Sequence, residues 1–152
     1  MDDKHISLAH GNGGRFMRDL IDELIAPSLD SSGLDVSNDS ATIALAGPEA
    51  VMTTDGFTVQ PLEFPGGNIG SLAVHGTVND LAVAGAEPRY MSLNLFIEEG
   101  FEVEKLERII LGIAEAARQT GCRVVATACP ACSRPLGPAE RFCPDCGHRR
   151  PA

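Results

Sequence analysis

Cys129, Cys132, Cys143 and Cys146 stand as two C-x2-C pairs, ten residues apart, within the last 24 residues. This spacing constrains the fold more than any other feature of the chain. A segment so short cannot bury a hydrophobic core, so it takes most of its folding free energy from a bound ion. Each C-x-x-C turn supplies two thiolates, and four of them make the tetrahedral structural zinc site. The prolines and Gly147 of CPACSRPLGPAERFCPDCGHR suit turns that free backbone N–H groups toward sulfur. An iron site of rubredoxin type and a disulfide framework are the alternatives. The disulfide reading is the weaker, because both pairs have metal-ligand spacing and the start MDDKHISLAH is too polar and acidic for a signal peptide. The expected organisation is a body over residues 1–126 and a zinc ribbon over residues 127–152.

The body has the size of one domain. No apolar run approaches the roughly 20 residues needed to span a bilayer, and reduced thiols point to a cytoplasmic protein. The net charge is −9, and it is unevenly spread. From Thr127 onward four arginines outnumber Glu140 and Asp145, so the body is more acidic than the whole. An acidic body argues against general nucleic-acid binding, which needs clustered cations. Arg149 and Arg150 read as a solvated chain end rather than a phosphate contact.

Along the body, HGNGGRFMRDLIDELIAP reads as a Gly-rich loop running into an amphipathic helix. Phe16, Leu20, Ile21 and Leu24 face inward, and Pro27 ends the helix. ATIALAG and AVMTTDGF read as the two strands of a hairpin. QPLEFPGGNIG is a loop, and SLAVHGTVNDLAVAGA is a helix with so few charges that burial on several sides is expected. RYMSLNLFIEE is a long strand. EVEKLERIILGIAEAARQTG is the clearest helix, with Val103, Leu106, Ile109, Ile110, Ile113 and Ala117 on one face and Gly121 at the stop. CRVVAT closes the order α-β-β-α-β-α-β as a short buried strand.

Three acidic residues sit where elements meet loops: Asp39 in NDSAT, Asp55 in TTDGF and Asp80 in TVNDLA. Carboxylates in such places commonly hold Mg2+ on a nucleotide phosphate. Asp80 is the sharpest case, since an unpaired charge inside an apolar helix is costly. The other reading is that Asn79-Asp80 caps or hydrogen-bonds a neighbouring loop. The loops GNGG (11–14) and PGGN (65–68) each precede a helix whose free N–H groups suit phosphate. Neither is a P-loop, and each alone reads equally as a turn. His10 and His75 read as structural, and Cys122 as buried and inert.

Taken in order, LAHGNGGRFMRDLIDELI, NDSATI, TTDGFTVQPLEFPGGNIGSLAVHGTVNDLAVAGAEPRYMSLNLFIEEG and the helix through CRVV resemble the N-terminal domain of the HypE family. These are the carbamoyl dehydratases of nickel–iron hydrogenase maturation, in the superfamily of aminoimidazole ribonucleotide synthetase and selenophosphate synthetase. The resemblance implies an α+β, PurM-like half-barrel domain of four strands plus helices, joined here to the ribbon. In such proteins four strands from each of two subunits form a shared barrel, with Mg-ATP in clefts at the interface. Asp39, Asp55 and Asp80 match the acidic positions that hold Mg2+ and phosphates. Asn79 and the loop of Gly66, Gly67 and Asn68 would line the nucleotide site, with HGNGG near the phosphates. The family uses ATP to phosphorylate the oxygen of a thiocarboxamide on a C-terminal cysteine. Elimination then leaves a thiocyanate, whose cyanide passes to iron with other maturation proteins.

Departures from the family pattern are large. After CRVV the family continues with a GDTKV-like segment carrying another acidic ligand, then a second α/β domain and the carrier cysteine; this chain reads VATACPAC and ends HRRPA. The aspartate of the family's FFPGGDIG is Asn68, and the serine after TTD is Gly56. The expectation is an ATP-binding protein, catalytically incomplete alone, that pairs with itself or with a full-length homologue. The alternatives are a non-catalytic interaction protein docking on the maturation machinery, with the ribbon recruiting a partner, and a degenerate gene fusion.

Overall fold

A computed structural model describes residues 3–30, 34, 36, 43–45, 47 and 49–127. Asp39 and the four-cysteine tail lie outside the described residues.

The architecture is α+β and is organised on one helix. The helix α4, Val103–Thr120, carries Glu104 in its first turn and Arg118 in its last, each complementing the helix dipole. All six residues that the periodicity places on its apolar face are buried, together with Ala116. Gly121 stops the helix in the left-handed region (φ 70°), where a Cβ would be strained. The turn closes as the N–H groups of Gly121 and Cys122 donate to the carbonyls of Arg118 and Ala117.

The chain enters α4 from β3 (Tyr90–Leu93) and leaves it into β4 (Arg123–Thr127), so the two strands pair in parallel through a helical crossover. Tyr90 faces Arg123 and Met91 faces Val124, and the register shifts before Ser92. The guanidinium of Arg123 lies 4.9 Å from the Tyr90 ring centroid. The amino-terminal segment is tied to the same region. Ile6 exchanges backbone hydrogen bonds with Phe101 and Gly100 (2.7 Å each), and the Val103 N–H donates to the Lys4 carbonyl.

Residues 15–29 form a helical run in three parts: α1 (Arg15–Leu20), a π-turn (Ile21–Ile25) and α2 (Ala26–Leu29). Pro27 does not end it, contrary to expectation. It lies inside the run, just after the π-turn, whose wider bonding (the Ala26 N–H donates to the Ile21 carbonyl) leaves room for the ring, and the stop comes at Asp30 in the left-handed region. The inward residues are Met17, Leu20, Ile21, Leu24, Ile25 and Leu29, whereas Phe16 is half exposed and stands edge-on to the His10 ring at 5.8 Å. The π-turn inserts one residue into the helical phase and so carries the apolar stripe to Leu29 rather than residue 28.

Of the hairpin expected over 41–57, residues 41, 42, 46 and 48 lie outside the described residues. Among the described residues of that stretch there is no ladder, and Ile43, Leu45, Val51 and Met52 are exposed. An extended segment becomes a strand only by pairing its N–H and C=O groups. The long strand over RYMSLNLFIEE is likewise cut to Tyr90–Leu93. A small hairpin, β1 (Glu63–Phe64) and β2 (Gly67–Asn68), replaces part of the expected loop and leads into α3, Ile69–Val83. That helix is not buried on several sides: only Gly70 and Val74 are buried, and Val83 is 91% exposed.

Candidate functional site

Helix α3 carries candidate residues at both ends. At its start Asn68 is the cap: its Oδ1 accepts from the Ser71 N–H (3.0 Å), and the Ser71 hydroxyl oxygen accepts from the Asn68 N–H (3.0 Å). The Asn68 carboxamide also donates to the Arg108 carbonyl on α4 (3.1 Å). The helices meet closely there because glycines leave room on both. A Cβ on Gly112 would stand 2.5 Å from the Asn68 amide, and one on Gly70 would press into the Ile109 carbonyl oxygen. Arg108 in turn holds Glu63 of β1 in a two-bond pair, Nε to Oε1 at 2.8 Å and Nη2 to Oε2 at 3.2 Å. That hydrogen bond is the main reason the Glu63 carboxyl lies below, and the Arg108 guanidinium above, its ordinary pKa. Both groups are exposed, so the pair fixes geometry more than it adds stability.

At the other end Asn79 and Asp80 are exposed. The Asp80 Oδ2 accepts from the Thr53 hydroxyl at 3.2 Å, and the Asp55 Oδ1 accepts from the following Gly56 N–H at 2.8 Å. The segment bearing Asp55 is therefore laid against the Asp80 end of α3. Phe57 of the same segment also meets α3, its ring end too near Gly76 for a Cβ to fit there. Gly66, Gly67 and Asn68 are not in this group. Twelve residues of α-helix separate Asn68 from Asp80, about 18 Å at the helical rise. The sequence-level reading missed Thr53, Phe57, Gly76 and Arg108. The one available signal was a glycine inside a helical pattern, which commonly marks close packing.

His10 takes no part in this cluster. It is buried, its Nδ1 accepts from the Ser7 N–H (3.0 Å), and its Nε2 lies 3.6 Å from the Asp3 carboxylate. His75 is exposed on α3. Cys122 is buried, and desolvation raises its thiol pKa, so it stays protonated at neutral pH. Among the described residues no three His, Cys, Asp or Glu side chains converge, and no helix is long and apolar enough to cross a membrane.

Residues 37–133 match the family model for the N-terminal domain of AIR synthase related proteins. The chain belongs to this family. Within it the chain is HypE-like. It is 48% identical over 120 residues to the carbamoyl dehydratase HypE of Rhizobium leguminosarum, an alignment spanning 79% of this chain and 34% of the relative. Against the HypE of Escherichia coli it is 42% identical over 126 residues, with 80% and 38% covered. Its fold is similar to the solved structure of the hydrogenase maturation protein HypE in complex with ATP, with TM-score 0.76, 45% identity, 80% of this chain and 36% of that one. A structure of the HypE–HypF complex also matches, at TM-score 0.52 over 72% of this chain. The HypE-like chain thus spans about a third of the length of the curated relatives it matches. Every candidate from Asp39 to Asp80 lies inside the family match, and the Gly11–Gly14 loop precedes it.

Proposed function

We propose that this HypE-like chain binds Mg-ATP at the Asp80 end of α3 and serves hydrogenase maturation as part of a larger assembly. The contact that carries the reading is Thr53 on Asp80, which sets two exposed carboxylates from separate elements within one short stretch. Its support outside the chain is the likeness to a HypE solved with ATP. Asp55, Asp80 and the Thr53 hydroxyl are hard oxygen donors. Mg2+ usually takes only one or two carboxylates beside phosphate oxygens and water, so this donor set fits. Asp39 and Asn79 are assigned to the same site. Gly66 and Gly67 are assigned to the nucleotide at a greater distance, with Asn68 holding their loop on α4 through bonds already made.

Bound Mg2+ would neutralise phosphate charge during phosphoryl transfer. The chain's own residues would position the triphosphate, and in a complete assembly the acceptor would be a thiocarboxamide oxygen that departs as phosphate to leave a thiocyanate. Exposed apolar residues flank the carboxylates in sequence: Val51 and Met52 precede Thr53, and Val83 lies one turn beyond Asp80. Such residues point to a partner that covers them, and we assign it to a second copy or a full-length homologue, with other maturation proteins docking on the assembly.

Calorimetry on the full chain tests this reading. Micromolar Mg-ATP binding is expected, and Asp55→Asn is expected to weaken it at least about tenfold, or roughly 1.4 kcal/mol. Unchanged affinity in that variant would remove Asp55 from the site. No binding by the folded parent would leave a docking scaffold as the function. The four-cysteine segment is assigned one zinc ion. Metal analysis should return one zinc per chain, lost in Cys129→Ser/Cys132→Ser; iron, or no metal, would reject the assignment.

A further inference from the structure

Phe57 and Gly76 are used by neither the core nor the proposed ligand set, yet the ring packs where residue 76 has no side chain. A Cβ built on Gly76 would clash with the Cζ and Cε1 end of the Phe57 ring. The ring therefore sits in a notch that exists only because residue 76 lacks a side chain. Four residues earlier the same segment makes its other contact with α3, Thr53 on Asp80. Residues 76 and 80 are one helical turn apart and share a face. The segment thus touches one face of α3 at two points, and Asp55 lies midway between them in sequence. Residues 51–59 have no sheet ladder of their own.

We propose that Phe57, seated in the Gly76 notch, is a positioning residue that holds the Thr53–Asp55 segment against Asp80 and so sets the approach of the two carboxylates. The consequence for Mg-ATP rests on the function proposed above; the anchoring itself does not. The chemistry asks for such a device. A Mg2+ ion held by carboxylates from two elements needs their separation fixed before it binds, and a displacement of about 1 Å at a phosphoryl-transfer site can cost on the order of a hundredfold in rate.

The test is Gly76→Ala, which favours helix intrinsically but fills the notch. Calorimetry should show Mg-ATP affinity weakened about tenfold with the melting temperature unchanged or raised. Nuclear Overhauser contacts between Thr53 and Asp80 should be lost in the same variant. The second variant, Gly76→Ala/Phe57→Leu, leaves room for the new methyl because leucine stops short of the ring's far end. It should restore the Thr53–Asp80 contact and bring affinity to within about threefold of the parent. An unchanged Thr53–Asp80 contact in Gly76→Ala, or a loss the double variant does not restore, overturns the proposal. Should the parent protein not bind Mg-ATP, the proposed nucleotide function fails, while the magnetic-resonance comparison still decides the anchoring.

Discussion

Ile110→Ala is expected to lower the unfolding free energy by about 3–5 kcal/mol, the range for emptying a fully enclosed aliphatic site. Ile110 is 0% exposed at the centre of the α4 face, among Leu106, Ile109, Ile113 and Val74. The loss has two parts: the transfer free energy of the deleted carbons, and a cavity that neighbours anchored on α3 and α4 cannot close. Leu111, the next residue and about half exposed, is the internal control. Leu111→Ala should cost less than about 1 kcal/mol, because its methyls already meet water. Urea unfolding followed by helical circular dichroism measures both. A cost below about 1 kcal/mol for Ile110→Ala would mean that the α4 face is not the core.

Gly70→Val should cost about 3 kcal/mol or more, through overpacking rather than a cavity. A Cβ at residue 70 meets the backbone carbonyl of Ile109 and lies 2.8 Å from the Ile113 Cγ1. A backbone oxygen cannot rotate aside as a flexible side chain can, so α3 and α4 must separate. Such separation also strains the Asn68 bonds to Ser71 and Arg108. Gly11→Ala is the matched control, since nothing lies within 4 Å of its Cβ and its cost should stay within about 0.5 kcal/mol. Equal costs at the two glycines would refute the close approach of the helices.

How far the sequence was legible differed from element to element, for physical reasons. Helix α4 could be read completely, because one amphipathic face against one core leaves a full 3.6-residue period and a glycine at the stop. The described part of 41–57 could not, since β-forming residues show that a segment can extend but not what it pairs with. In α3 the scarcity of charge suggested burial, whereas its glycines serve contact at two points: Gly70 against α4 and Gly76 beneath Phe57. Small residues mark places where something comes close, which is a different property from being enclosed. At the site, the acidic positions were visible as residue types, but Thr53 and Phe57 were not. Their roles arise from where the 51–59 segment crosses α3, and no local pattern records that crossing. The helical run through Pro27 failed for a similar reason, because the π-turn that changes its phase has no simple sequence signature.

The cap at Asn68, seated on Gly112, and the approach of Gly70 to the Ile109 carbonyl clamp α3 at one end, while its other end, about 18 Å away along the rise, bears Asp80 among exposed residues. Beyond Val74 no residue of α3 is buried, so the Asp80 end is an arm carried by the first half of the helix. A tilt of about five degrees at the clamp would swing Asp80 by roughly 1.5 Å, enough to spoil a metal–phosphate geometry set to within about 1 Å. Substitutions at the clamp should therefore act on ligand affinity at a distance, and stability measurements alone would understate what it does.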